Sequence, residues 1–310
     1  MDVCASVFQL PATPAAPAQP APARPGSSAT TFLRLTTKTS MPEQGHLLQR
    51  CLHGPSAQSS AATASDPPAV HQYQRSLSDF ASLPGQPFLY QLSPRALQLL
   101  RTAPKLADYA PPCQGIITGD NHRYLRYWFE PDPSTLGTKW LPHNKGGDYR
   151  KWYGNREFVI DWDAQISTAK SSSASSATAQ KSAASRRRAR LANLDKNFQP
   201  SLSWSAITSG DLSVRFYDGR FSFNSAPPSC FPPANQRLYL LGLLNSVVAQ
   251  FFARALNPSL NLNPGDLAKL PVIIDEAIRH QVESLVQANL NLAQADYDEQ
   301  EISPDFTVHP

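Results

Sequence analysis

Two stretches of the chain concentrate side chains able to engage a polyanion: ITGDNHRYLRYWFE and KWLPHNKGGDYRKWYGNREFVIDW. Between them they set Arg123, Arg126, Lys139, Lys145, Arg150, Lys151 and Arg156 among Tyr124, Tyr127, Trp128, Trp140, Tyr149, Trp152 and Tyr153. Lysine and arginine neutralise phosphates, an arginine fork matches a guanine edge, and an asparagine amide matches adenine. Gly146 and Gly147 lack side chains, so their amides can approach a phosphate closely. Interleaved in this way, the residues have the chemistry of a loop facing nucleic acid. A plainer reading uses the same residues: aromatics alternating along strands fill a core, scattered Lys and Arg face solvent, and Gly-Gly makes an ordinary hairpin turn.

Other chemistry finds less support. The seven histidines are dispersed, with no HxxxH pair, and Cys4, Cys51, Cys113 and Cys230 have neither the spacing of a zinc site nor that of a disulfide framework. No metal site is expected, and the cysteine usage suits the reducing cytoplasm. Asp120, Asp161 and Asp163 could serve a metal-dependent nuclease, but single aspartates at strand ends usually cap helices or make turns. No nucleophile elbow or Walker loop is present. Arg186, Arg187, Arg188 and Arg190 either touch a nucleic-acid backbone or form a solvated run.

The elements that must position these residues follow from pattern. Residues 1–75 are rich in Pro, Ala and Ser and bury too little apolar area to order a chain, so they read as a disordered leader. Residues 76–274 read as one α/β domain. It opens with a helix capped by Ser93, with Pro94 at its first position, and continues through short β-prone runs (GIITGDN, RYLRYWFE, REFVIDW) into a mixed sheet. Residues 164–192 lack apolar periodicity and read as a flexible loop. LSWSAITS, LSVRFYD and GRFSFNSA resume the sheet, with Leu212, Val214 and Phe216 alternating and a hairpin turn at Asp218-Gly219. Arg237 to Leu256 reads as one helix with a broad apolar face; it is too short and too interrupted for a membrane span. A last helix within 275–298, about Glu276 to Tyr297, carries Ile278, Val282, Leu285, Val286, Leu290 and Leu292, a stripe that must pack on another helix. An acidic tail, 299–310, follows.

Charge divides along the same lines. Residues 71–274 carry 23 basic and 13 acidic groups, whereas residues 275–310 carry 1 and 8. A domain at net +10 suits nucleic acid, because each neutralised phosphate releases condensed counterions; a merely solvated basic surface has the same balance.

The succession TGDNHRYLRYWFE, KWLPHNKGGDYRKWYGN, LSWSAITSGDLSVRFYDGRFSF, LLGLLNSVVAQFFARALNPSLNLNPGDLAKLPV resembles the C-terminal half of the PglX family, adenine-specific DNA methyltransferases of phage-exclusion (BREX) systems. It is also similar to the target-recognition domains of type IIG enzymes and of type I specificity subunits. The resemblance covers about residues 78 to 296, and NKGGDYRKWYGN is its most specific part. Thr118, Gly119, Asp120, Asn121 and Arg123 match the family's opening motif. Lys145, Gly146, Gly147, Arg150, Lys151, Trp152, Tyr153 and Asn155 match its basic aromatic block, and Leu244, Asn245, Ser246, Ala249 and Gln250 its helix. Ser201 departs from the pattern, standing where a glycine is expected ahead of Trp204-Ser205.

The resemblance implies a target-recognition domain in which Asp120, Asn121, Arg123, Lys145, Gly146, Gly147, Arg150, Lys151, Tyr153, Asn155 and Ser205 contact double-stranded DNA, while Leu244, Val248 and Phe252 pack behind the sheet. S-adenosylmethionine is the cofactor of the full-length family. Adenine methylation there needs an Asn-Pro-Pro-Tyr type motif to hold the flipped base, and here Asn257-Pro258 and Asn263-Pro264 are followed by Ser and Gly. No catalytic or cofactor-binding residue is therefore assigned, and the chain is expected to lack the catalytic domain and to be inactive alone. Through its last helix it would meet a methyltransferase domain or other phage-exclusion subunits. An inactive remnant of a truncated gene, or a specificity subunit serving a separate methyltransferase, would have the same sequence features.

Overall fold

The computed structural model describes residues 29–35, 70–81, 83, 87–174, 190–207, 210–257 and 259–307. They fall into two compact units, residues 1–101 and 102–310. The architecture is α/β, as the pattern predicts.

In the first unit, β1 (Ala29–Leu35) and β2 (Val70–Ser76) pair antiparallel, with Phe32 opposite Tyr73. Within the segment 1–75, read as a disordered leader, residues 29–35 and 70–75 thus lie in strands; its other residues lie outside the described ones. Within ATTFLRL and VHQYQRS, β-prone Thr, Phe, Val and Tyr are frequent enough to form a ladder. Phe32 is fully buried, stacking on Tyr90 with ring centroids 4.8 Å apart and meeting Phe80 of α1 (Ser78–Ala81) edge-on at 5.8 Å. α2 (Pro94–Thr102) starts where the cap predicts, the Ala96 amide donating to Ser93 Oγ at 3.2 Å.

The second unit begins with α3 (Leu106–Tyr109) and α4 (Asn121–Tyr124), which runs directly into β3 (Leu125–Tyr127). β4 (Trp140–Asn144) and β5 (Phe158–Asp161) follow. After β5, α5 (Trp162–Ala174) occupies the beginning of the segment read as a loop over 164–192. Asp161 supplies the missing start signal, its Oδ1 accepting from the Ala164 amide at 3.2 Å, and Ala169 is buried against the unit; a polar, alanine-bearing helix gives no apolar periodicity to read. Residues 175–189, with Arg186, Arg187 and Arg188, lie outside the described residues.

β6 (Ser201–Trp204), β7 (Val214–Tyr217), β8 (Ser222–Phe223) and β9 (Ser229–Cys230) complete two sheets. One is mixed, ordered β3-β5-β4-β8, antiparallel except for the parallel β4–β8 pair; the other is antiparallel, ordered β7-β6-β9. Asp218-Gly219 is consequently not a β-hairpin turn, since β7 and β8 belong to different sheets. Nor does β7 alternate between core and solvent: Val214, Arg215 and Tyr217 are all fully buried. Ser201 opens β6 opposite Tyr217, a place that requires no glycine.

The helix expected over 237–256 is two helices, α6 (Ala234–Asn245) and α7 (Val247–Leu256), bent by 69° at Ser246. Ser246 ends one and caps the other, its Oγ donating to the Leu243 carbonyl at 2.6 Å and accepting from the Ala249 amide at 3.2 Å. The bend leaves Leu244 and Phe252 in the core but turns Val247, Val248 and Phe251 outward, so Val248, 54 % exposed, does not pack behind the sheet. No single described helix is long and apolar enough to cross a membrane. After α8 (Pro264–Leu267), α9 (Arg279–Asp298) lies on α6. A Cβ on Gly242 would come within 2.6 Å of Val286 Cγ2, so the glycine permits that approach. Val286, Leu290 and Tyr297 are buried, whereas Ile278, Leu285 and Leu292 stay exposed. The predicted stripe thus divides between a face used within the chain and a face open to solvent.

Candidate nucleic-acid interface

The connection from β4 to β5, residues 145–157, joins the two sheets. The Trp152 amide donates to the Val214 carbonyl at 2.9 Å, and the Phe216 amide to the Trp152 carbonyl at 2.8 Å, which lays this loop along β7. At its start Asn144 donates through Nδ2 to Ser203 Oγ at 2.8 Å and accepts at Oδ1 from the Gly146 amide at 3.0 Å. Gly146 and Gly147 have φ of 79° and 151°, backbone open to glycine. Pairing partners β4 and β5 are separated by this whole loop, so Gly-Gly is not a tight hairpin turn.

Most of the predicted site residues lie in the loop or beside it, and the structure gives many of them a framework role. Arg150 donates to Gln300 Oε1 at 2.8 Å, its guanidinium 5.1 Å from the Tyr297 ring centroid. Lys151 Nζ donates to the Asn245 carbonyl at 3.0 Å. Tyr153 is buried beneath Arg156, whose guanidinium lies 3.8 Å from its ring centroid; burial pushes its hydroxyl up to about 12 despite that cation. Asn155 is buried and donates to the Asp148 carbonyl at 3.0 Å. Ser205 Oγ donates to the Gly147 carbonyl at 2.7 Å. Exposed on the loop itself are Gly147, Asp148 and Tyr149, while Lys145 is partly covered, its Nζ 4.1 Å from the Phe158 ring centroid.

The opening motif stands apart from the loop. Asp120 caps α4, its Oδ1 accepting from the Arg123 amide at 3.1 Å, and buried Thr118 donates to the Asn121 side chain. Asp120, Asn121 and Arg123 are exposed, with Arg123 5.2 Å from the Tyr124 ring centroid. Asp120 and Asp161 both act as helix caps, and no group of three metal-ligating side chains occurs among the described residues.

Two arginines carry more of the architecture than their sequence context suggests. Arg156, 3 % exposed, pairs with Asp218 at 3.3 Å and donates to the Phe216 carbonyl at 3.1 Å. Although burial opposes it, hydrogen bonds from Arg220 and the charges of Arg156 and Arg220 hold the Asp218 carboxyl below its ordinary range. Arg215, fully buried, donates to the Arg150 carbonyl at 3.1 Å and to Ser205 Oγ at 3.0 Å. No carboxylate is among the partners of Arg215 in the described residues. A buried guanidinium without a counter-ion is costly, and here its donors fasten the loop directly at Arg150 and, through Ser205, at Gly147. On β4, in the other sheet, His143 is fully buried with Nδ1 2.9 Å from Ser222 Oγ; burial, with the Lys145 charge, lowers its pKa to about 3.

A cation-bearing, aromatic loop lying across two sheets of an α/β module defines a candidate polyanion-binding surface. No known family model matches the sequence. The adenine-specific methyltransferase PglX of Lacticaseibacillus casei (strain Zhang) is 29% identical over 265 residues, 79% of this chain and 21% of the relative. The adenine-specific methyltransferase BrxX of Escherichia coli O9:H4 (strain HS) is 27% identical over 240 residues, 74% of this chain and 18% of the relative. The resemblance to these methyltransferases therefore extends over about three quarters of the chain, and the chain spans about a fifth of the length of the curated relatives it matches.

Proposed function

We propose that the chain is the sequence-specific DNA-recognition part of an adenine-specific DNA methyltransferase acting in restriction-modification or phage exclusion of the BREX type. The observation that carries this reading is the loop 145–157, which is bound to both sheets, presents Gly147, Asp148 and Tyr149 outward, and sits in a segment at net +10. Arg123, Lys145 and the exposed loop backbone meet double-stranded DNA; Arg150, Lys151, Tyr153, Asn155 and Ser205 shape the loop that does so. S-adenosylmethionine and the transfer step belong to another part of the methyltransferase, a division supported by a sequence without an Asn-Pro-Pro-Tyr type motif.

The test is selection from a random duplex library, with Arg123→Ala/Lys145→Ala as control, since neither side chain is held by a hydrogen bond that the loop depends on. One enriched site, lost in the double variant, is the expected result; equal, weak binding of all duplexes would refute sequence-specific recognition. A specificity subunit serving a separate methyltransferase is the second reading, favoured by the face of α9 where Ile278, Leu285 and Leu292 are 45 %, 59 % and 70 % exposed. Leu285→Ser/Leu292→Ser would abolish co-purification with a methyltransferase subunit while leaving DNA binding in place.

A further inference from the structure

Beside the loop lies a group of rings, one of which neither the sheet nor the core accounts for. Tyr127 and Phe158 are cross-strand partners on β3 and β5, their centroids 4.7 Å apart and their planes inclined by 29°. That pair is an ordinary product of strand pairing. Phe129 is different: it follows edge strand β3 in a turn, yet lies flat on Tyr127 with centroids 5.4 Å apart and planes within 6° of parallel. It is 57 % exposed and Tyr127 39 % exposed, so burial of apolar area does not explain the arrangement. Trp128 braces it edge-on at 5.7 Å and is itself fixed by donating Nε1 to the Ile302 carbonyl at 2.9 Å.

Three stacked rings thus run off the edge of the sheet into solvent, and a cation sits on the innermost of them. Lys145 Nζ is 4.1 Å from the Phe158 centroid, whereas Arg126 and Lys139 gather on Trp140, on the opposite face of the sheet, at 5.6 and 5.7 Å. Glu130 accepts from the Tyr127 amide at 2.7 Å, and Asp161, on that opposite face, is 3.6 Å from Lys139 Nζ. An exposed ring face with a cation at the other end of its stack complements a base and its phosphate.

We propose that the Phe158–Tyr127–Phe129 stack is a platform for one unpaired nucleobase of a DNA strand, bound through its π-face irrespective of base identity, with Lys145 toward a flanking phosphate. The inference rests on the DNA-recognition reading above. Inside a regular duplex the bases stack on each other, so the platform acts only on a base displaced by a bulge, a mismatch or a kink.

Full-length chain is titrated with a paired duplex, with the same duplex containing one extra unpaired base, and with one in which an abasic residue replaces that base. About tenfold tighter binding of the unpaired-base duplex than of the other two is expected. Phe129→Leu, which keeps apolar area and loses the ring, should remove the preference and leave paired-duplex affinity unchanged; Phe129→Trp should keep it. Paired-duplex binding without any preference would overturn the platform alone, as would a preference that survives Phe129→Leu or extends equally to the abasic duplex. Absence of binding to every duplex would overturn the recognition reading and the platform with it.

Discussion

Acidification offers a way to test how the floor of the proposed interface is built. His143 is fully buried on β4, two residues before Lys145, and its value falls from 6.5 to about 3 through burial and, secondarily, the Lys145 charge. The folded state therefore keeps the ring neutral in a range where the unfolded chain protonates it. Between those two values the unfolded state binds one more proton, so stability is undiminished above about pH 6.5 and is lost as pH falls toward 3. The slope is a factor of ten in the folding equilibrium per pH unit, giving roughly 3 kcal/mol at two units below 6.5. His143→Leu removes the titrating group at similar volume, and Ser222 keeps a partner because its Oγ also donates to the Pro142 carbonyl at 3.3 Å. Urea unfolding followed by tryptophan fluorescence across this pH range, with native and variant chains compared, isolates the effect, since the titration of other groups cancels in the difference. Parallel stability curves for the two would show that His143 is protonated without penalty, refuting the reasoning.

Further outcomes follow from individual contacts. Arg215→Met should leave urea stability unchanged or raise it, because a buried guanidinium without a carboxylate gives way to apolar packing, yet should weaken duplex binding by freeing Ser205 and the Arg150 backbone; a fall in stability together with unchanged binding would contradict this. Gly242→Ala should cost about 1–3 kcal/mol in the same unfolding assay, its Cβ colliding with Val286 across α6 and α9. Arg123→Ala and Lys145→Ala should each reduce the slope of log affinity against log salt by about 0.9 if each contacts one phosphate, whereas Arg150→Ala should lower thermal stability through Tyr297 and Gln300.

Local signals were legible in the sequence and distant partners were not. The Ser93 cap and the strands containing Leu125–Tyr127 and Phe158–Asp161 follow from short-range chemistry. Whether a cation in NKGGDYRKWYGN faces solvent or framework depends on residues far along the chain: Lys151 meets Asn245, and Arg150 meets Gln300. Burial of Arg215 has the same origin, because the loop around Trp152 covers a strand whose pattern alone suggests one exposed face. The division of helix 237–256 had a local sign in Asn245-Ser246, a polar pair inside an apolar run, but the apolar residues on both sides masked the cap. Phe129 gave no periodic signal, since it lies beyond the strand that its ring extends.

Tyr297 has a kinetic consequence. Its hydroxyl accepts from the Arg156 amide at 3.1 Å and donates to Glu157 Oε2 at 3.2 Å, contacts that span 141 and 140 residues. Ile302 is likewise the partner of Trp128 across 174 residues. During synthesis from the N-terminus, the block 128–157 must wait, with its aromatic rings unsupported, until residues near 300 have emerged. Contacts of such high sequence separation slow folding, and rings exposed meanwhile favour association with other chains. Assembly of the proposed interface is therefore a late event, and loss of the residues after Asp296 should prevent the loop 145–157 from maturing even though they lie outside it.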